Sequence, residues 1–516
     1  MPLSVANSFR SRRYSVRSSA GSRAGEPKCE VMQDDSITRA ALQALSYRQK
    51  VVIILGAAAQ TLQYFAESMV PLLLPPEAIA KGISHIQYGI IMAVTPLMFG
   101  LVDPFTCYIV PIVGIKPGFV GSTLVAGAGY LSFGLLHWSV HETVFFICAT
   151  IIRFILGINF AVTIIVGLAM MCLILGESAG LGFAIGTFAE GFGYTLGPLI
   201  AGPVAEMTGF AAPFVLAGSF MCILSIVSLL ILEKQLVSAE SVKFRWRDII
   251  DLLRDRLVIA CSIILAISSF TWMMVEATLE QHLAEYEYGL TVEGMIFTLS
   301  NASYGLTAPL WGYLGKKEKF ALYSVLFSPF LGALANIFLG PVPGLEALDG
   351  HLGLDIACLV VVRISMSIAI VGSSLVMLQQ AESQGLEHNV ATFALIGALW
   401  YTPYCFGEVI GTISGSHIFA TKGFSMLTLV NVVFLLVGGI ISLLVAICSR
   451  DRRHYIVNLH WPLAFLSRSF GNFTRSPKTL REQDLKMWNG QKPLSVSSNF
   501  KSSKVNYGAI SADIDS

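Results

Sequence analysis

GFGYTLGPLIAG, residues Gly191–Gly202, is unusually rich in glycine for an apolar segment. It lies inside a long apolar segment and combines four glycines with Pro198. Glycine lets two membrane helices approach closely, and proline bends a helix or weakens its hydrogen bonding. Packing alone explains the glycines, but it explains less well why they cluster with a proline in the middle of the segment. The stretch predicts a membrane-spanning helix that packs closely on its neighbours.

The composition of the whole chain is that of an integral membrane protein. Of 516 residues, 54% are hydrophobic and only 13% are charged, with a mean hydropathy of +0.68. Soluble domains carry about 25% charged residues. The first apolar run begins at Val51, after a polar segment, so we expect no cleaved signal peptide.

Several functional classes receive no support from the sequence. The nine cysteines form no CxxC pairs and no Cys/His clusters at metal-binding spacing, and the chain has no GxxxxGK[ST] phosphate-binding loop. We therefore expect a protein that is not an enzyme and has no catalytic residues, cofactor or metal. We also expect no nucleic-acid partner and no obligate protein partner.

Twelve apolar segments are long enough to cross a bilayer, which takes about 20 residues. We predict an all-α membrane protein with twelve transmembrane helices in two six-helix pseudo-repeats. The predicted spans are 51–75, 86–112, 117–137, 143–175, 180–204, 211–232, 257–281, 294–314, 319–340, 353–379, 390–417 and 424–448.

Lysine and arginine predict the orientation of these spans. With both termini in the cytosol, the cytosolic segments hold 30 of the 34 basic residues, as the positive-inside rule requires. This gives disordered cytosolic tails over 1–47 and 449–516 and six-helix bundles over 48–232 and 257–448. A cytosolic linker over 233–256 contains VKFRWRDIIDLLRDR, which predicts an amphipathic helix on the membrane surface. The partners we expect are the bilayer, a small organic cation and protons.

The two bundles repeat each other in sequence. An acid, a proline with a tyrosine, an arginine and a glycine recur in the same order, at offsets of 205 to 214 residues. Two such halves predict an alternating-access transporter whose substrate lies between them near mid-membrane. The matched residues are Glu67 with Glu276, Pro104 and Tyr108 with Pro309 and Tyr313, Arg153 with Arg363, and Gly197 with Gly411.

Acidic residues inside the spans are the candidate site. Acids at bilayer depth are expensive to bury and mark functional sites, and here aromatic residues lie one or two helical turns from them. Carboxylates and aromatic faces suit an organic cation, with cation–π attraction of about 0.5–2 kcal/mol per ring. Burial favours the neutral carboxyl form, so the same acids could also carry protons. The predicted substrate- and proton-binding residues are Glu67, Glu190, Glu276, Glu408, Tyr64, Trp272, Tyr401 and Tyr404.

An alternative interpretation is that these acids form internal salt bridges that hold the fold, with Arg153 paired to one of them. The spans contain five acids, the fifth being Asp103, but only two arginines, Arg153 and Arg363. The acidic excess disfavours an anionic substrate. On helix 1 we expect Gln60 to share a polar, cavity-facing stripe with Tyr64 and Glu67.

Two motifs resemble those of the major facilitator superfamily. RFILG, Arg153–Gly157, looks like its span-4 arginine motif, and GYTLGPLIAG looks like its span-5 antiporter motif. The chain further resembles the vesicular amine transporters, above all their polyamine branch, over about 50–448. The stretches that carry this second resemblance are VPLLLPPEAIAKGIS (Val70–Ser84), GFGYTLGPLIAG, EATLEQHL (Glu276–Leu283) and LGPVPG (Leu339–Gly344).

This resemblance implies twelve helices and proton antiport of organic amines into acidic vesicles. It assigns the arginine role to Arg153, the span-7 acid to Glu276, and the span-5 motif to Gly193, Gly197, Pro198 and Gly202. Departures from the family pattern leave two alternatives open. The signature of loop 2–3 lacks its acid in CYIVPIVGIK, Cys107–Lys116, so a receptor or scaffold that no longer transports is one alternative. A diverged transporter of another small solute is the other.

Overall fold

Long α-helices make up almost all of the structure, a computed structural model that describes residues 45–175, 179–232, 252–315, 318–345, 348, 350–384 and 390–448. Thirteen α-helices occur in these ranges, and the first two form a single span. Their bounds are α1 Tyr47–Ser68, α2 Val70–Ala80, α3 His85–Val113, α4 Ile115–Leu135, α5 Glu142–Leu175, α6 Ala179–Thr208, α7 Ala211–Ile231, α8 Arg256–Leu283, α9 Leu290–Leu314, α10 Glu318–Phe338, α11 Leu352–Ser383, α12 Val390–Lys422 and α13 Phe424–Cys448.

The predicted fold class is confirmed. Six spans precede the segment 233–251 and six follow it, and every helix end lies within five residues of the predicted one. The largest differences are at the ends of α2 and α12, where amphipathic turns extend the helix beyond the apolar run. The predicted tails and most of the predicted linker helix, 233–251, lie outside the described residues and stay predictions.

Local sequence signals explain how the first span begins and why it is interrupted. Ser46 Oγ accepts a hydrogen bond from the Gln49 backbone N–H, and Gln49 Oε1 accepts one from Ser46 N–H, which is a capping box. The helix breaks at Met69, and Pro71 stands in the first turn of α2, where its missing N–H is not needed. Glu67 therefore lies at the last turn of α1, beside the break.

Two tight turns show the repeat in backbone geometry. Gly209 joins α6 to α7 and Gly423 joins α12 to α13, at φ values of 87° and 79°. Only glycine adopts this left-handed region without strain. The last two helices of each half therefore meet through the same glycine turn, 214 residues apart in the sequence.

Helix α6 makes one of the two close contacts between the halves, against α9. The Gly191 and Gly305 backbones touch, and a Cβ built on Gly191 would lie 3.0 Å from Gly305 Cα. A Cβ on Gly202 would lie 2.5 Å from the carbonyl oxygen of Leu290. No larger residue fits at either position unless a backbone moves.

Helices α3 and α12 make the matching contact on the other side of the molecule. A Cβ on Gly89 would lie 2.8 Å from Ser416 Oγ, and one on Gly100 would lie 2.7 Å from Cys405 Cβ. The halves thus meet along two glycine-lined helix pairs, α6–α9 and α3–α12. We call these two pairs the seam.

The same helices use other glycines to pack inside their own halves. A Cβ on Gly193 of α6 would lie 2.5 Å from the Thr61 carbonyl oxygen of α1, and Gly411 of α12 packs on the Phe270 backbone of α8. Gly197 packs in the same way on Phe65. The predicted match between Gly197 and Gly411 is therefore a match of contacts, since both face the first helix of their half.

Hydropathy separates three of the four seam helices, together with the first span, from the other helices. By length and composition alone, eight helices in the described ranges could span a membrane. The remaining spans are α1 with α2, α6, α9 and α12. Polar residues inside these helices lower their hydropathy, and such residues need protein rather than lipid around them. The low hydropathy therefore points to the place where a polar site can form.

We expect the variant Gly193→Val to destabilise the protein, because its side chain would clash with the Thr61 carbonyl and Tyr64 Cβ. Overpacking typically costs about 1–3 kcal/mol. The midpoint of thermal unfolding of the detergent-solubilised protein should fall. Gly121→Val is the matched control, because Gly121 is also helical and a Cβ there meets nothing within 4 Å. Equal midpoints for the two variants would contradict this packing.

Candidate functional site

A cavity lies between the two halves, and all eight predicted binding residues line it. They come from α1 (Tyr64, Glu67), α6 (Glu190), α8 (Trp272, Glu276) and α12 (Tyr401, Tyr404, Glu408). Helices α3 and α5 complete the wall with Phe99, Arg153 and Phe160, among others. The structure therefore brings acids and aromatic rings from both halves to one place.

The cavity is narrow in this conformation. Its free volume is about 60 Å³, far below the roughly 300–1,000 Å³ of pockets that enclose drug-sized ligands. Tyr64 of the first half and Tyr401 of the second meet there, with their hydroxyl oxygens 3.4 Å apart. A substrate can enter only after the halves move apart.

An ion pair lies at the wall of the cavity in the first half. Arg153 Nη1 and Nη2 each donate a hydrogen bond of 2.7 Å to the two oxygens of Glu67. Tyr130 donates a third, at 3.2 Å. The Arg153 side chain is 1% exposed and that of Glu67 is 16% exposed, toward the cavity. A bidentate guanidinium–carboxylate pair fixes both side chains in orientation.

The second half repeats this pair with a looser geometry. Arg363 Nη2 donates one hydrogen bond of 3.1 Å to Glu276 Oε2. The guanidinium also contacts Asn301 Oδ1, lies 3.4 Å from Ser300 Oγ, and covers the face of Trp272. Both members of the pair are almost completely buried.

A proline explains why the two arginines contact different atoms. Arg153 reaches the backbone carbonyls of Ile91 and Met92 on α3, each at 3.4 Å. Pro96, four residues after Met92, has no N–H to bond that carbonyl, so the carbonyl is free to accept from Arg153. At the corresponding place, 205 residues further along, α9 has Asn301 rather than a proline, and Arg363 is held by side chains of that helix instead.

These pairs correct one part of the sequence interpretation. The predicted role of Glu67 and Glu276 in binding a cation requires that their charges are uncompensated, but in the described conformation each of them accepts from its own arginine. The alternative, internal salt bridging, holds for these two acids. The face of Trp272, predicted as a cation–π surface for substrate, is covered by Arg363.

Glu190 and Glu408 differ from the first two acids. Within the described ranges neither has a basic partner, and Glu190 Oε1 accepts only a long hydrogen bond, 3.4 Å, from Tyr304. Both line the cavity. Part of the acidic excess that the sequence predicted therefore lies at the cavity, on α6 and α12, one helix from each of the two pairs that form the seam.

Aromatic rings pack around these two acids. Tyr64 lies 5.2 Å from Tyr194 between ring centroids, and Trp400 stacks on Tyr404 at 5.3 Å with an interplanar angle of 8°. Phe99 lies 4.9 Å from Tyr401, across the halves. Tyr194, Trp400 and Phe99 were not among the predicted residues. A helical-face analysis of α6 and α12 could have found Tyr194 and Trp400, which lie four residues from Glu190 and Tyr404. Helix α3 supplied no predicted binding residue, so nothing in the sequence pointed to Phe99.

Two other polar residues of the spans lie outside the cavity. Gln60 is buried and donates to the Ile164 carbonyl at 3.4 Å, so the expected cavity-facing stripe on α1 consists of Tyr64 and Glu67 only. Asp103 is 1% exposed, and neither of its carboxylate oxygens has a hydrogen-bond partner among the residues described.

The motif glycines act as packing positions at the site. Gly157 packs on α3, where a Cβ would lie 2.6 Å from the Thr95 carbonyl. This contact brings α5, and with it Arg153, against the free Met92 carbonyl. On α6, the carbonyl of Pro198 lies 2.6 Å from a Cβ built on Gly294 of α9. The arginine and antiporter motifs thus position the ion pair and the seam, respectively.

Comparison with known proteins gives the family. The profile of the Major Facilitator Superfamily matches residues 56–398. This chain belongs to the Major Facilitator Superfamily. It is therefore a multi-pass membrane transporter of the secondary type, and the superfamily resemblance predicted from the arginine and glycine-proline motifs is confirmed.

Relatives within the superfamily include the MFS-type transporter SLC18B1. The mouse protein (Mus musculus) is 24% identical over 409 residues, covering 78% of this chain and 87% of the relative. The human protein (Homo sapiens) is 25% identical over 414 residues, covering 79% and 88%. The predicted relationship to this branch is confirmed.

Solved structures share the fold at low sequence identity. Two crystal structures of a bacterial homologue of the human lysosomal transporter Spinster, both inward-facing, superpose with a TM-score of 0.62. The identities are 11% for the unoccupied and 12% for the occupied form, and each covers 79% of this chain and 100% of the other. This similarity supports the fold of the superfamily and carries no information on substrate.

We expect the ion pair of the first half to stabilise the fold as a unit. Arg153→Leu leaves the Glu67 carboxylate in the wall without its partner, and removing one member of a buried pair costs about 3–5 kcal/mol. The double variant Arg153→Leu with Glu67→Leu should recover part of this loss, because no unpaired charge remains. The measurement is the thermal unfolding midpoint of the single and double variants.

Glu285→Gln serves as the control for this comparison, since that side chain is 67% exposed and its loss should leave the midpoint unchanged. If the loss in unfolding midpoint of the double variant equals the sum of the losses of Arg153→Leu and Glu67→Leu, the interaction between the two side chains does not stabilise the fold.

Proposed function

We propose that this protein is a proton-coupled antiporter that moves an organic cation by alternating access. The observation that carries the proposal is that Glu190 and Glu408 line the cavity, among aromatic rings and without a basic partner in the described part of the chain. An organic ammonium supplies the missing positive charge and fits the aromatic faces.

The ion pairs give the four acids of the cavity two different roles. Arg153 and Arg363 neutralise Glu67 and Glu276 and keep these parts of the wall in place. Glu190 and Glu408 remain for exchange between a proton and the cation. A carboxyl that holds a proton is neutral and releases the cation, whereas an ionised carboxylate captures it. This exchange links the two fluxes in opposite directions.

Alternating access follows from the seam. The two acids that exchange ligands lie on α6 and α12, and these helices also make the glycine contacts with α9 and α3. Glycine has no side chain that interlocks with the facing helix, so the two halves can rotate relative to each other at these contacts. A charge change at Glu190 or Glu408 therefore acts directly on the helices that must separate.

The distribution of basic residues supports an orientation for this cycle. If both termini are cytosolic, the cytosolic segments of the sequence hold 30 of the 34 lysines and arginines, and we therefore place the tails and the linker in the cytosol. The motifs that resemble vesicular amine transporters favour an acidic organelle or vesicle as the location and an amine, either a monoamine or a polyamine, as the cargo.

Transport is tested with the full chain reconstituted into liposomes that have an acidic interior. We expect these liposomes to accumulate labelled spermidine or a labelled monoamine and to lose the accumulation when a protonophore is added. Glu190→Gln and Glu408→Gln should each lower uptake about tenfold or more, the effect of losing one charge-assisted contact. Glu285→Gln, an exposed acid, should transport like the unmodified protein.

Three results would contradict the proposal in different ways. Uptake that persists after the pH gradient collapses would remove proton coupling. Cation binding without counterflow would favour a receptor or scaffold, the alternative suggested by the missing acid in loop 2–3. Competition in which anions displace the label better than amines would favour a transporter of another solute.

A further inference from the structure

A buried histidine lies at the end of α8, away from the cavity. His282 is the last residue but one of this helix and is 4% exposed. Its Nε2 lies 3.2 Å from Oδ2 of Asp355, which stands in the first turn of α11 and is 3% exposed. Neither residue lines the cavity. The two side chains therefore form a buried pair of titratable groups outside the candidate transport site.

This pair joins the ends of four helices. Asp355 Oδ2 also accepts from the Tyr286 hydroxyl at 2.9 Å, and its Oδ1 accepts at 3.1 Å from the backbone N–H of Gly340, two residues after the end of α10. Phe424, the first residue of α13, stacks on the His282 ring with centroids 4.0 Å apart and an interplanar angle of 6°. The ends of α8 and α10 and the starts of α11 and α13 thus meet at one place, which we call the clasp.

The charge of the Asp355 carboxylate has one available counterion. Among the residues described, His282 is the basic side chain within ion-pair distance of it. Tyr286 and Gly340 donate hydrogen bonds from neutral groups, which leave the negative charge uncompensated. A buried charge is costly unless it is both paired and hydrogen-bonded. The positively charged imidazolium is therefore the form of His282 that completes the clasp.

The second ring nitrogen of His282 is the place where a proton can bind. Nδ1 is buried and has no hydrogen-bond partner among the described residues. In a neutral ring whose Nε2–H donates to Asp355, Nδ1 is an acceptor, so it can take up a proton without breaking a contact. The face of Phe424 then lies against a cation, which aromatic faces attract. Histidine is the side chain that ordinarily changes its charge between about pH 5 and 8.

Other titratable groups around the clasp contribute less than Asp355. Glu285 Oε2 lies 3.8 Å from Nδ1, but this side chain is 67% exposed, and exposed ion pairs stabilise little. On α2, which also packs against α8, Glu77 and Lys81 pair with each other at 3.2 Å. Further titratable residues on the elements that pack here are Glu280 of α8, His351 and Cys358 beside Asp355, Lys422 at the end of α12, and His85 of α3.

We propose that His282 is a proton-binding site outside the transport cavity, and that its protonated ring locks the four helix ends through the ion pair with Asp355. The stability that this pair contributes is present at low pH, where the imidazole is charged, and is lost as the pH rises. Only the sidedness of the site rests on the proposed function, in which α8 ends in the acidic compartment. The carboxy-terminal half is then held most tightly at the end that faces the acid.

The test is the thermal unfolding midpoint of the purified full chain, in detergent and without cargo, at about pH 5.5 and about pH 7.5. His282→Gln keeps a hydrogen-bonding side chain but cannot take up the proton. We expect it to lower the midpoint more at the lower pH than at the higher, by about 2–4 °C, the effect of one charge-assisted contact. Asp355→Asn should show the same dependence on pH. The controls are His141→Gln, an exposed histidine, and Glu285→Gln, and each should act equally at both pH values.

A second measurement follows His282 in the unmodified protein, so the test does not depend on the folding of a variant. Deuterium exchange at the imidazole C2 position, read by mass spectrometry, reports the ionisation of each histidine separately, and we expect His282 to change its charge between the two pH values. A ring whose charge stays constant would overturn the site. So would a loss of midpoint in His282→Gln that is equal at both pH values or larger at the higher one. No cargo is present, so a failure of cation transport in liposomes leaves these results unaffected and is distinct from them.

Discussion

A charge buried inside a helical membrane protein needs several polar partners, and this requirement determines how the helices of each half pack around Arg153 and Arg363. Arg153 of α5 pairs with an acid on α1, and Arg363 of α11 pairs with an acid on α8. Arg153 also contacts α3, and Arg363 also contacts α9. A guanidinium away from water has to find several acceptors, so three helices in each half are tied together around it. The two halves are therefore rigid units before they contact each other.

This constraint separates two acids that are paired within the fold from two cavity acids that are not. The arginines neutralise Glu67 and Glu276, and the other two acids of the cavity, Glu190 and Glu408, lie on α6 and α12, where the halves meet. In the proposed function these two acids exchange a proton for the cation, and their position at the seam couples the occupancy of the cavity to the contact between the halves. A site confined to one half would lack this connection.

The sequence predicted the helices and the cavity residues well because one physical rule governs both. A polar side chain within an apolar helix must face protein, and the face is set by the helical repeat, so Tyr64, Tyr404 and Glu408 could be placed from spacing alone. The sequence repeat also predicted that Glu67 and Glu276 have equivalent environments, and in the structure each forms an ion pair with an arginine of its own half.

The pairing itself could not be predicted from spacing. Glu67 and Arg153 are 86 residues apart, and their contact depends on how α5 packs on α3 through Gly157. The Arg363–Trp272 contact depends in the same way on the positions of three helices. Gln60 was misplaced because a helical face also includes positions that a neighbouring helix covers, here with the Ile164 carbonyl.

The unequal attachment of the two arginines makes the halves mechanically different. Arg153 is bound to main-chain oxygens of α3, which cannot turn away without unwinding the helix. Arg363 is bound to the side chains of Ser300 and Asn301, which release it by rotating about a single bond. The arginine contact inside the carboxy-terminal bundle can therefore be released by side-chain rotation, whereas that inside the amino-terminal bundle can be released only by moving the backbone of α3 or Arg153 itself.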